Sequence, residues 1–203
     1  MRVNSRDSAL DSGPAVPVAW YALRVKPRHE KAVAEALRVQ GFEEFLPLYK
    51  ERRRWSDRTK EIETPLFANY TFCRFAAQHR LAVLRVPGVM GVVRFGDRLA
   101  EVDSAEIEAV RAAAGSGRIV RPCEFLLAGQ RVRIVSGPLA NVEGIFQRFS
   151  GSDQLVVSVT ILQRSVAVEL EGEAVIPIPA HRGYAASSTV SNHTMRCHGN
   201  FSE

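Results

Sequence analysis

The sequence predicts an α+β layer, an antiparallel-type sheet with helices packed on it, followed by a small closed β-barrel. Three observations carry this. Up to residue 114, strand-like runs alternate with helical stripes in the order β-α-β-β-α-β-α. A Gly-Ser-Gly at 115–117 then interrupts the pattern. Beyond it no helical stripe remains, and short β-rich pieces recur between Gly, Ser and Asp.

Residues 1–17 are polar, with two prolines, and read as a disordered leader. "AWYALRV" (19–25) reads as the first strand of a domain spanning 18–114. Pro27 suits a first helical turn, where a missing N–H costs nothing. Ala32, Val33, Ala36, Leu37 and Gln40 then form a stripe at helical spacing over 28–40, and Gly41 is placed to end it. "FEEFLPLYK" (42–50) is strand-like, with Pro47 implying an edge or a bulge. "ERRRWSDRTK" (51–60) has no apolar face and reads as an exposed loop. "PLFANYTFCRF" (65–75) alternates like a strand and carries four aromatics. A short helix over 76–86 stops at Pro87-Gly88, and "VMGVVRF" (89–95) is the next strand. Asp103 or Ser104 can cap a last helix running to Ala114, with Glu106 near its positive end. Residues 115–124 read as a linker, 125–179 as the barrel and 180–203 as a disordered tail.

Composition narrows the function. Apolar residues make up 46% and charged residues 24%, as in globular proteins, and the net charge is +5. No run approaches the roughly 18 apolar residues of a membrane span, and the N-terminal stretch lacks a signal-type apolar core. A cytoplasmic monomer without membrane contact is expected. Residues 18–112 hold 17 Lys/Arg against 13 Asp/Glu, whereas 124–179 hold 4 against 6. The first domain is therefore the one suited by charge to meet nucleic acid.

Catalytic signatures are lacking. Cys73, Cys123 and Cys197 form no C-x-x-C pair, and no His/Glu helix motif exists, so neither a metal nor another cofactor is expected. No phosphate-cradling glycine loop or nucleophile elbow is present. With no nucleophile or base to name, the chain is not expected to be an enzyme. Two polar features stand out instead. One is a cluster of five cations within nine residues, Arg52, Arg53, Arg54, Arg58 and Lys60, around Trp55. The other is the aromatic run that follows it.

"VRIVSGPLANVEGIF" (132–146) has Val132, Ile134 and Ile145 in core-facing alternation, a Gly137-Pro138 turn, and Gly144 where a strand can approach closely. This spacing resembles the KOW motif, which forms SH3-like barrels. "WYALRVKPRHEKAVAEAL", "PLFANYTFCRF" and "VPGVMGVVRFG", in that order, resemble the N-terminal (NGN) domain of NusG-family transcription elongation factors. "VSVTILQRSVAVEL" (157–170) resembles the last strands of the barrel of that family. The resemblance spans residues 19–178, and "PLFANYTF" and "VVRFG" look more like the specialised RfaH-like paralogs.

The resemblance implies a non-catalytic elongation or antitermination factor. Its first domain would grip the β′ clamp helices of RNA polymerase through Phe67 and Tyr70, with Phe72 and Tyr21 beside them. The non-template DNA strand would meet Lys26, Arg28, Arg52, Arg53, Arg54, Trp55, Arg58 and Lys60. His79 and Arg80 stand where the paralogs touch the polymerase gate loop, although the threonines expected there are replaced by Leu81 and Ala82. In the barrel, Val142, Ile161, Leu162 and Arg164 match positions that contact Rho or a small-subunit ribosomal protein. The alternative reading is a ribosome-associated RNA-binding KOW protein, which would call for a basic barrel.

Overall fold

The structure is a computed structural model that describes residues 17–54, 59–123, 125, 129–149, 152–171 and 175–178. Residues 1–16 of the leader, the tail with Cys197, and Trp55 and Arg58 lie outside the described residues.

The first domain is built on β1 (Val18–Val25), whose six residues from Trp20 to Val25 are buried except Arg24. Such a run needs cover on both faces. β1 lies between β5 (Tyr70–Ala76) and β6 (Val89–Val92), both antiparallel to it, and β2 (Glu43–Phe45) extends the sheet beyond β5. Strict alternation sorts the side chains. Tyr21, Leu23, Val25, Cys73 and Phe75 face one way, onto α1 (Glu30–Val39) and α2 (Arg80–Leu84). Trp20, Ala22 and Phe72 face the other way, onto Ile107, Val110 and Ala113 of α3 (Ser104–Gly115).

Local chemistry explains the ends. α1 stops at Gly41, whose φ of +83° few other residues adopt. Its buried stripe is Glu30, Val33, Ala34 and Leu37, so Ala32 and Gln40 of the expected stripe turn outward. Asp103 caps α3, its carboxylate accepting from the Ala105 N–H at 2.8 Å. The segment expected to be a basic loop is instead most of a hairpin, β3 (Leu48–Arg54) paired with β4 (Thr59–Pro65). The two-residue strands β7 (Arg94–Phe95) and β8 (Arg98–Leu99) make a small hairpin, and β9 (Glu101–Val102) pairs with the start of β1.

The second unit is β apart from one 3-10 turn at Thr160–Leu162: β10 (Val120–Cys123), β11 (Gln130–Ile134), β12 (Glu143–Phe149), β13 (Ser152–Val159), β14 (Arg164–Glu169) and β15 (Val175–Pro177). Their order is β10-β14-β13-β12-β11-β15, antiparallel throughout. Gly144 allows the approach its position suggested: a Cβ there would stand 2.5 Å from the Val156 carbonyl oxygen. One strand was not foreseen. β10 lies within the stretch read as linker and pairs with β14.

Candidate functional site

The core does not stop at the domain boundary. Trp20, Phe67, Phe72 and the buried face of α3 share one apolar cluster with Val132, Leu155, Val157 and Val166 of the barrel. The barrel therefore sits on the face of the first domain that carries the aromatic run.

That face is held from beneath. Phe67 does not belong to a strand; it starts a tight turn into β5, with the Tyr70 N–H donating to the Phe67 carbonyl at 3.1 Å. Asn69 takes a left-handed φ of +68°, and its N–H donates to the buried Glu30 carboxylate at 2.9 Å. The Val25 N–H donates to the Asn69 carbonyl at 2.9 Å. The turn is thus tied to both β1 and α1. Phe67 meets Phe72 edge-on at 5.7 Å, and Phe45 stacks on Phe72 at 6.2 Å. The Arg111 guanidinium caps the cluster, 5.1 Å from the Phe45 ring centre and 5.7 Å from that of Trp20.

Two polar contacts pin the barrel down. The Glu106 carboxylate accepts the Thr160 N–H at 3.2 Å and the Thr160 hydroxyl at 2.5 Å. Arg164 lies 5.3 Å from the Tyr70 ring centre and donates to the Ala68 carbonyl at 3.4 Å. Burial pushes the Glu106 carboxyl above its ordinary value, the Thr160 hydrogen bonds pull it back, and Asp103 adds to the rise. Next to Arg164 a cleft of about 340 Å³ remains, with Leu66 and Phe67 on one side and Cys123, Phe125 and Ser165 on the other.

The structure brings Phe67, Tyr70 and Phe72 together. Phe67 and Phe72 are buried and Tyr70 is half-buried. Tyr21 is placed apart from them, on the opposite face of the sheet, with its hydroxyl 3.5 Å from Glu101. Its phenol is pushed up, first by burial and then by the Glu101 charge and hydrogen bond. His79 and Arg80 stand at the start of α2 on that same helical side, His79 edge-on to Phe42 at 6.5 Å.

Lys26 and Arg28 are exposed in the turn between β1 and α1, and Arg28 has a left-handed φ of +65°. Arg52 and Lys60 are exposed on the hairpin, where Arg53 and Arg54 also lie. A Lys31–Glu63 ion pair at 3.3 Å joins α1 to β4, which keeps the two cationic groups on neighbouring elements. In the barrel, Val142 is core, whereas Ile161 and Leu162 are half-buried against the shared cluster, and Arg164 touches the first domain. Sequence reasoning missed Glu106 and Thr160 as a pair. They are 54 residues apart, and neither has a local signature of the other.

Among the described residues, no group of three or more His, Cys, Asp or Glu side chains converges as a metal would require. No helix among them is long and apolar enough to cross a membrane.

Residues 18–111 match the family described as NusG, transcription termination factor nusG. The transcription termination/antitermination protein NusG of Pseudomonas aeruginosa is 26% identical over 166 residues, covering 75% of this chain and 94% of that one. Its namesake from Xylella fastidiosa is 25% identical over 175 residues, covering 75% and 95%. Among solved structures, "Domain interaction in Thermotoga maritima NusG" is 20% identical and covers 75% of this chain and 93% of that one, at a TM-score of 0.47. The NusG family match thus covers residues 18–111, and the similarity to the two NusG proteins, at 25–26% identity over 75% of the chain, extends beyond that first domain.

Proposed function

We propose that this chain is a cytoplasmic transcription termination/antitermination factor whose first domain binds RNA polymerase through the Phe67–Tyr70–Phe72 face, and that the arrangement described above is its closed form. One observation carries this reading: the aromatic face is the one on which an apolar surface with an arginine at its rim already sits. A face able to hold the chain's own barrel is chemically suited to an apolar helical partner. The clamp helices and the barrel would compete for it. In the open form, Ile161, Leu162 and Arg164 become free for a second partner, with Rho or a small-subunit ribosomal protein as the candidates the family suggests.

Mechanistically, a factor that bridges the polymerase clamp favours the clamp-closed state over the pause-prone open one by binding it better. The cations at Lys26, Arg28, Arg52 and Lys60 would run along the exposed non-template strand. The rival ribosomal RNA reading is disfavoured by the barrel's excess of acidic residues.

The test is binding of an isolated clamp-helix fragment to the full chain. Glu106→Ala, which loosens the barrel, is expected to bind more tightly than wild type. Tyr70→Ala in the same background is expected to lose at least tenfold. Equal binding by all three chains would remove the aromatic face from the mechanism.

A further inference from the structure

The connection between the domains is shorter than its sequence length. α3 ends at Gly115 and β10 begins at Val120, which leaves four residues, 116–119. Four residues span at most about 14 Å. Even these are fastened: the Ser116 hydroxyl donates to the Ala113 carbonyl at 2.7 Å, and the mostly buried Arg118 side chain pairs with Glu171. With β10 in place, the barrel can move no further from the first domain than those four residues reach. If β10 came off β14, the free chain would run from 116 to 129, fourteen residues with a reach of about 48 Å.

β10 is built to be removable. It has four residues, of which Val120 alone is buried. Its phase on β14 follows from one bond, the Glu169 N–H donating to the Ile119 carbonyl at 3.0 Å. In an antiparallel pair, hydrogen-bonded pairs alternate with non-bonded ones. Given the register, Arg121 with Ala167 and Cys123 with Ser165 are the bonding pairs, and Pro122 with Val166 is not. The missing N–H of Pro122 therefore faces away from β14. It costs the pairing nothing and blunts the outer edge of β10 against any further strand. The edge of β14 takes one antiparallel strand, recognised mainly through its backbone.

We propose that β10 is a displaceable strand: an extended segment of a partner protein pairs with the edge of β14 in its place, and this exchange lengthens the tether and releases the barrel from the aromatic face. The inference rests on the reading above for what the released face then binds. The exchange itself is tested without polymerase, so the two can fail separately.

The probe is a synthetic peptide of residues 117–125 with Cys123 replaced by Ser. Arg121→Pro removes the one Arg121 N–H that points at β14, and amide exchange is followed in the full chain. Loss of protection is expected at Ser165, Ala167 and Glu169, whose N–H groups face β10, together with the junction amide of Thr160, while Val166, Val168, β12 and β13 stay protected. The peptide is expected to bind this variant at least tenfold more tightly than wild type and to restore protection along β14. If Thr160 stays protected when β14 does not, or if the peptide does not distinguish the two chains, the proposal is wrong.

A second variant decides the matter should Arg121→Pro unfold the barrel. Arg121→Cys with Ala167→Cys forms a cross-strand bridge in a chain with Cys73→Ala, Cys123→Ser and Cys197→Ser. In a Glu106→Ala background the oxidised chain is expected to stay closed and the reduced chain to open. Equal opening of both would make β10 a permanent barrel strand.

Discussion

Glu106 and Thr160 join the two domains through a single carboxylate that accepts both the backbone N–H and the hydroxyl of one residue, at 3.2 Å and 2.5 Å. Hydrogen bonds to an ionised acceptor are stronger than neutral ones, and here water can replace part of what is lost. Glu106→Ala is expected to weaken domain docking by about 1 to 1.5 kcal/mol, roughly a tenfold shift toward the open form. Small-angle scattering or an inter-domain distance measurement reads this directly.

Docking is expected to depend on pH through the same residue. Burial raises the Glu106 carboxyl above its ordinary 4.5 in the docked form, so that form holds the proton more tightly than the open one. Docking is then strongest below 4.5 and weakens as pH rises through the raised value. Glu106→Gln keeps a carbonyl acceptor for Thr160 and removes the buried charge. A distance measurement across that pH window is expected to be flat in the Gln variant and sloped in wild type.

Thiol labelling offers a second readout of opening. Cys73 is fully buried, and its thiol is pushed up to about 12, first by burial and then by the charges of Glu44 and Glu43. It is expected to be silent at pH 8. Cys123 lines the cleft at the junction. In a Cys197→Ser chain, labelling therefore reports Cys123 alone and is expected to be several-fold faster in Glu106→Ala than in wild type. Rapid labelling of Cys73 in the native chain would contradict its burial.

Gly144→Ala is expected to destabilise the barrel by about 1 to 3 kcal/mol, as overpacking does. The added Cβ would meet the Val156 carbonyl oxygen at 2.5 Å and Leu155 at 3.0 Å, and a backbone oxygen in a sheet has little room to retreat. Urea unfolding monitored on the barrel's amides checks this. An unchanged midpoint would mean that the β12–β13 pairing is looser than described.

The hairpin cations yield a salt-dependence test. Changing Arg52, Arg53 and Arg54 to Ser is expected to flatten the log–log salt slope of binding to elongation complexes by about 2 units if each meets a single-strand phosphate. An unchanged slope would leave the hairpin out of nucleic-acid contact.

Much of the fold was legible because it follows local rules. The alternation of Trp20 and Ala22 against Tyr21 and Leu23 defines a strand covered on both faces, and Asp103 announces α3. The same alternation separates Tyr21 from Phe72, a distinction that motif resemblance alone passed over. The β3–β4 hairpin was hidden because its described tip residues, Lys50, Glu51, Arg52, Thr59 and Lys60, are none of them buried, and such a ribbon needs no apolar period. β10 was hidden because four residues with a proline carry no strand signal. The meeting of the two domains was beyond reach, since Glu106 with Thr160 and Tyr70 with Arg164 are pairings between distant stretches whose local patterns are complete without them.

The four-residue connection at 116–119 also sets how strong the closing contact has to be. Two surfaces joined by so short a segment meet at a local concentration on the order of 1 mM. A contact that as separate molecules had a Kd of about 0.1 mM would then be made roughly nine-tenths of the time. Lengthening the connection from four residues to fourteen dilutes the barrel about sixfold relative to its own face, by the three-halves power of length. At that dilution the same contact is occupied little more than half the time, so a modest outside competitor at similar concentration can take the face without any change in the contact itself.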